Sequence, residues 1–179
     1  MKRLYLPLVL FLFLVLEGVA LEMLPENLLK SDLFFVPHWV FVFLVFIAIF
    51  YERNNTYHSV VYALIFGLLI DIVYTGILGI YMFSYGISIY IIHGLKKVLH
   101  GNLYVTILLC ALGIALSDIS INIIFSLVGM SEIMWKDYFS NRLLPTVISN
   151  LIFLLLLYPI FAKRITRWGR EQLAGRNML

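Results

Sequence analysis

The chain has 179 residues, of which 63% are hydrophobic and only 13% charged. Soluble domains carry about 25% charged residues, so this balance excludes a soluble enzyme or nucleic-acid-binding domain and indicates an integral membrane protein. The net charge of +3 therefore belongs to loops at the membrane surface rather than to a nucleic-acid interface.

A spanning helix needs about 20 largely apolar residues, and six such runs are present, at 4–24, 33–51, 58–75, 77–93, 103–128 and 143–162. Together they make residues 1–162 a six-helix transmembrane domain, followed by a basic tail at 163–179. The first run has an alternative reading. Lys2-Arg3, the apolar stretch 4–16 and the small-x-small sequence Gly18-Val19-Ala20 resemble a cleavable signal peptide, whereas Glu17 and the apolar residues up to Leu24 favour a retained span. Pro7 sits in a first turn, Pro25 in a loop, and Pro37 and Pro145 near helix starts; Pro159 lies within the last span, where it bends the final turns. Trp39, Trp135 and Trp168 fall near the expected interfaces, as aromatic belts do. The lone cysteine, Cys110, lies in an apolar run and supports neither a disulfide framework nor a thiolate metal site.

Loop charge sets the orientation. With the N-terminus inside, the inner segments hold Lys2, Arg3, Arg53, Lys96, Lys97, Lys163, Arg164, Arg167, Arg170 and Arg176, and the outer loops only Lys30, Lys136 and Arg142. This asymmetry puts both termini in the cytoplasm. In the tail, Lys163, Arg164, Arg167 and Arg170 recur at helical spacing around Ile165 and Trp168. That pattern suits a helix end lying on the anionic inner leaflet, with a cytoplasmic protein contact as the alternative.

The stretch 67–79 places Asp71 inside an apolar helix and follows it with Gly76 and Gly79. A charge at that depth costs at least a few kcal/mol unless it is paired or faces a polar interior. Gly67 and Thr75 flank Asp71 one turn away on the same face, which suits close helix packing. The third span ends just beyond Asp71, and the fourth returns antiparallel. Its first turn offers unpaired N–H groups and the positive end of its dipole, with Tyr81 and Ser84 also within reach. Asp71 is therefore expected to lock this hairpin, with Arg142 at the outer mouth of the sixth span as the alternative partner. Glu17 and Asp118 are the other acids within spans. Asp118, Asn122 and Ser126 form an i, i+4, i+8 stripe on the fifth span. Ala111 and Ala115 make a small-xxx-small pair on the same helix, Ser84 and Ser88 a similar pair on the fourth, and Asn150 lies in the sixth. These residues describe a polar seam towards the outer side. The structural reading is interhelical hydrogen bonding, and the functional one is a partner or ligand site. His38, His58, His93 and His100 lie near span ends without metal-ligand spacing and read as solvated anchors. No phosphate loop, CxxC or serine-nucleophile motif occurs, so neither enzyme chemistry nor a cofactor is expected.

The run Gly67-x-x-x-Asp71, with Gly76, Gly79, Tyr85 and Tyr90 beyond it, resembles the bacterial rod shape-determining protein MreD family. So does the run from Leu143 through Pro145 to Asn150 that ends in Leu157-Tyr158-Pro159 before a basic tail. The resemblance covers the whole chain. It implies an all-α six-transmembrane-helix bundle like the substrate-binding S-components of energy-coupling factor (ECF) transporters. It also implies a non-enzymatic scaffold in the bacterial plasma membrane, binding the single-span protein MreC. Through that complex the scaffold would be linked to MreB filaments and to the synthases that build sidewall peptidoglycan and maintain rod shape. A vitamin-binding S-component-like subunit is the alternative. The Ala-x-x-x-Ala coupling contact that S-components carry on their first span is absent here, which weighs against it.

The charge asymmetry makes a direct prediction. A reporter that is active only outside the cytoplasm, fused after Leu179, is expected to be silent. Activity there would overturn the six-span arrangement.

Overall fold

The computed structural model describes residues 4–23, 35–52, 56–99, 101–130 and 134–176, apart from the side chains of residues 21 and 170–176. Lys2, Arg3, Pro25, Lys30, Arg53 and His100, and the side chains of Arg170 and Arg176, lie outside the described residues. Those described form six helices. They are α1 (Tyr5–Glu22), α2 (Trp39–Phe46, continuing as a π turn Ile47–Tyr51), α3 (His58–Ile70, with a π turn Asp71–Thr75), α4 (Ile80–Leu95), α5 (Leu103–Leu127) and α6. The last comprises Trp135–Asp137, a π turn Tyr138–Leu143 and Leu144–Arg176.

The bundle is arranged around α2. From Val40 to Ala48 no residue exposes any surface. The helix is apolar on every side, as a helix enclosed by others must be. It packs against α1, α3, α4, α5 and α6. Phe43 meets Phe13 of α1 at 5.4 Å and Phe161 of α6 at 5.2 Å between ring centroids, Phe41 meets Tyr85 of α4 at 5.0 Å, and Trp39 stacks on Phe153 of α6 at 4.6 Å. Trp39, expected at an interface, is thus a packing residue. On α1, Leu6, Leu10, Phe13, Leu14 and Glu17 recur at helical spacing and are buried, which makes this helix a full member of the bundle.

Three helices, His58–Thr75, Leu103–Leu127 and Trp135–Gly169, are long and apolar enough to cross a membrane; α1, α2 and α4 are shorter. The expected second span, 33–51, departs most. Residues 35–38 around Pro37 are not helical, as the restriction that proline places on its neighbour favours, and helix begins only at Trp39. Thirteen residues of helix rise about 20 Å, against about 30 Å of hydrocarbon. Non-helical backbone at that depth survives only where protein encloses it. The fourth helix starts at Ile80 rather than 77, because Gly76 and Gly79 take left-handed φ values of 69° and 104° in the connecting turn. The sixth starts at Trp135 rather than 143. Arg142 therefore stands in a π turn of α6, not in a loop. Pro145 follows this turn and has no N–H to return to the preceding one. The helix runs on through Pro159 to Arg176.

Close approach depends on two glycines. A Cβ at Gly67 would lie 2.7 Å from the Met82 Cα and 2.8 Å from the Tyr81 carbonyl oxygen, so its hydrogen is what lets α3 touch the α4 backbone. A Cβ at Gly113 would collide with Ile92 and come within 2.9 Å of the Phe41 ring. The tight contact on α5 is thus Gly113, whereas the expected pair Ala111 and Ala115 is only half-buried.

Gly67→Ala is expected to lower stability in detergent by about 1–3 kcal/mol, since backbone rather than a flexible side chain must yield. Gly94→Ala, which meets nothing within 4 Å, should leave the melting temperature unchanged or raise it. Equal melting curves for Gly67→Ala and the parent would mean that the two helices do not touch there.

Candidate functional site

The polar side chains gather at the two ends of α2. At its N-terminal end the non-helical segment 35–38 and the first turn present N–H groups with no intrahelical acceptor. Three other side chains supply acceptors. Asn150 Oδ1 accepts from the His38 N–H at 2.7 Å, and Asn150 Nδ2 donates to the Val36 carbonyl at 2.9 Å. Thr146 Oγ1 accepts from the Val36 N–H at 3.1 Å, and Glu17 Oε2 from the Val40 N–H at 3.2 Å. Thr146 and Asn150 sit one turn apart on α6, so one face of that helix meets the whole segment.

Asp71 does the same for α4. Its Oδ2 accepts from the N–H groups of Gly79 at 2.9 Å and Met82 at 3.2 Å, and its Oδ1 from that of Tyr81 at 2.9 Å. A carboxylate at a helix N-terminus also meets the positive end of the dipole. Gly67, one turn earlier, lets the helices approach closely enough for these bonds. The hairpin lock expected of Asp71 is therefore made by backbone amides. Among the described residues neither the Tyr81 nor the Ser84 hydroxyl bonds to Asp71, and the Ser84 and Ser88 hydroxyls are buried without a hydrogen-bond partner.

Asp118 stands at the centre of a second group. It accepts from the Tyr138 hydroxyl at 2.6 Å and pairs with Arg142 at 3.3 Å. Arg142, the alternative partner for Asp71, is thus Asp118's. His38 Nε2 stands 3.6 Å from Asp118, and its Nδ1 is hydrogen-bonded to the Tyr85 hydroxyl at 2.7 Å. This set joins α2, α4, α5 and the π turn of α6. Along the α5 stripe Asp118 and Asn122 are buried while Ser126 is exposed.

At the other end of α2, Lys96 Nζ donates to the carbonyls of Ala48 at 2.5 Å and Glu52 at 2.6 Å, which are last-turn acceptors without helical donors. Burial pulls the Lys96 ammonium below the usual lysine range, and the Glu52 carboxylate opposes that shift. Glu52 accepts from both the backbone N–H and the hydroxyl of Ser59 in the first turn of α3, and pairs with His93 Nδ1 at 3.0 Å. His38 and His93 are therefore buried partners rather than the solvated anchors expected; His58 alone of the described histidines is exposed. Glu52, Lys96, Thr146 and Tyr138 carry no sequence pattern that singles them out; the last three act on segments distant in the chain, and Glu52 joins the nearby Ser59 to the distant His93. Among the described residues no group of three or more His, Cys, Asp or Glu is arranged to hold a metal ion.

Residues 2–166 match the family described as rod shape-determining protein MreD. A rod shape-determining protein MreD from Bacillus subtilis (strain 168) is 31% identical over 157 residues, which cover 88% of this chain and 90% of that relative. The chain belongs to the MreD family. No solved structure matches it, so the likeness to ECF S-components finds no support. Of the residues on which the MreD resemblance was drawn, Gly67, Asp71, Gly76 and Gly79 build the α3–α4 hairpin, and Asn150 holds the entry to α2.

Asp71→Asn retains one acceptor oxygen and should be tolerated better than Asp71→Leu, which leaves up to three N–H groups unpaired at roughly 1–3 kcal/mol each. Expression level and melting temperature in detergent measure the difference. Equal tolerance of both substitutions would remove Asp71 from this role.

Proposed function

We propose that this chain is a non-enzymatic, multi-pass scaffold subunit of the elongation complex in the bacterial plasma membrane, with both termini cytoplasmic. In this reading it holds the single-span protein MreC and, through that complex, is linked to MreB filaments and to the cell-wall synthases that extend the sidewall. Membership of the MreD family carries the proposal. The site geometry supports it. Glu17, Asp71 and Asp118 are each engaged by groups of their own chain, as suits groups that keep the bundle in one shape. The surface left for a partner is apolar. Val61, Ile65, Ile72 and Val73 on α3 and Ile148, Ile152 and Leu156 on α6 are exposed, and a neighbouring transmembrane helix can pack on such a face as well as lipid can.

The test is co-purification in mild detergent from the native host, coupled to depletion. The tagged chain is expected to retain the MreC-like single-span protein of that host, and its depletion to turn rods into spheres. A vitamin bound with high affinity would instead raise stability by about 2.7 kcal/mol at a hundredfold excess over Kd. Such a shift, with no retained single-span protein, would overturn the scaffold reading.

A further inference from the structure

A groove of about 470 Å³ opens between the end of α2 and the last turns of α6. Phe50 and Tyr158, in edge-to-face contact at 6.0 Å, form an apolar wall, and the buried Ala162 lies between them and the cations. Lys163 and Arg167, four residues apart on one face of α6, line the groove as well. Both are exposed, and neither has a carboxylate or any other hydrogen-bonding partner among the described residues. The half-buried cations Arg142 and Lys96, by contrast, are held by Asp118 and by the end of α2.

The position of the groove fixes what it meets. Trp135 marks one end of α6, and Lys163 lies 28 positions further along the helix, a rise of about 42 Å that matches the bilayer thickness of about 40–45 Å with its headgroups. Just beyond, Tyr5 of α1 stacks on Trp168 of α6 at 5.8 Å, an aromatic pair of the kind that sits at headgroup level. The apolar wall therefore faces acyl chains, and the cations face phosphates. Gly169 keeps this end of α6 against α2, since a Cβ there would lie 3.0 Å from the Tyr51 carbonyl oxygen.

We propose that this groove seats a single anionic phospholipid of the leaflet that carries the basic loops. The phosphodiester lies between Lys163 and Arg167, and the upper acyl chain lies along Phe50 and Tyr158. Two adjacent exposed cations select a lipid whose headgroup is otherwise uncharged, such as phosphatidylglycerol, over phosphatidylcholine, whose own cation they repel. This seat differs from the diffuse attraction of the basic tail to the leaflet, which would depend equally on Arg164, a residue that does not line the groove. It is also independent of any protein partner.

Native mass spectrometry of the full-length chain in detergent, titrated with phosphatidylglycerol or phosphatidylcholine, tests it. One phosphatidylglycerol should bind about tenfold or more tightly than phosphatidylcholine. Lys163→Gln with Arg167→Gln should abolish that preference, Arg164→Gln should leave it intact, and Ala162→Leu should weaken lipid binding by filling the groove with all charges retained. Equal binding of the two lipids, or equal losses in the Arg164→Gln and the Lys163→Gln, Arg167→Gln variants, would overturn the proposal. Displacement of the lipid by an equal concentration of inorganic phosphate would do so too, because it would mark a site for free phosphate.

Discussion

The structure depends on satisfying the backbone at the ends of a short helix enclosed within a membrane protein. Helix α2 has protein on every side from Val40 to Ala48 and is shorter than the hydrocarbon is thick, so its entry segment 35–38 and its last turn place buried and half-buried peptide groups inside the bundle. An unpaired buried N–H or C=O costs about 1–3 kcal/mol, and several lie at each end. Glu17 from α1, with Thr146 and Asn150 from α6, meets the donors at one end; Lys96 beyond α4 meets the acceptors at the other. The caps join α2 to α1, to α6 and to the end of α4, so the same bonds that make the short helix tolerable also fix how its neighbours stand around it.

The hairpin α3–α4 and the start of α3 follow the same rule. Asp71 closes the N-terminus of α4, and Glu52 closes that of α3. Glu17 and Asp71, which would be costly as isolated intramembrane charges, are thus acceptors for backbone N–H groups, as is Glu52 just beyond the second span, and Asp118 is matched by Arg142 and Tyr138. The three π turns lie where these groups converge: one begins at Asp71, one holds Tyr138 and Arg142, and one ends next to Glu52. Extra residues in those turns shift side chains around the helix axis at the positions where caps and ion pairs are made. A bundle stapled in this way keeps its apolar outer faces in one arrangement.

Much of this was legible in the sequence, and the reasons differ residue by residue. Hydropathy alone located six helices, because each must be apolar over most of its length. The role of Asp71 followed from local chemistry, since its acceptors and the donors of α4 are separated only by a glycine turn. Asn150 and Asp118 stood out as polar groups in apolar runs and Arg142 as a cation at the mouth of the sixth span, but their partners lie on other helices and no spacing rule reaches them. Asp118 and His38 are 80 positions apart, and Glu52 and His93 are 41. Histidines near span ends look alike in sequence whether they face water or a carboxylate. The central place of α2 was encoded only in its lack of a polar side, a feature it shares with any lipid-facing span. Gly113 was overlooked because the alanine pair beside it offered the more familiar pattern.

The central claim is that side chains of other helices protect the backbone at the entry to α2. Hydrogen–deuterium exchange of the amides in residues 36–42, in the parent and in Asn150→Ala, measures that protection directly. Slow exchange in the parent, with selective acceleration over this segment in Asn150→Ala while residues 103–127 stay protected, is the predicted result. Rapid, loop-like exchange of residues 36–42 in the parent, or no change on removing the Asn150 amide, would contradict it.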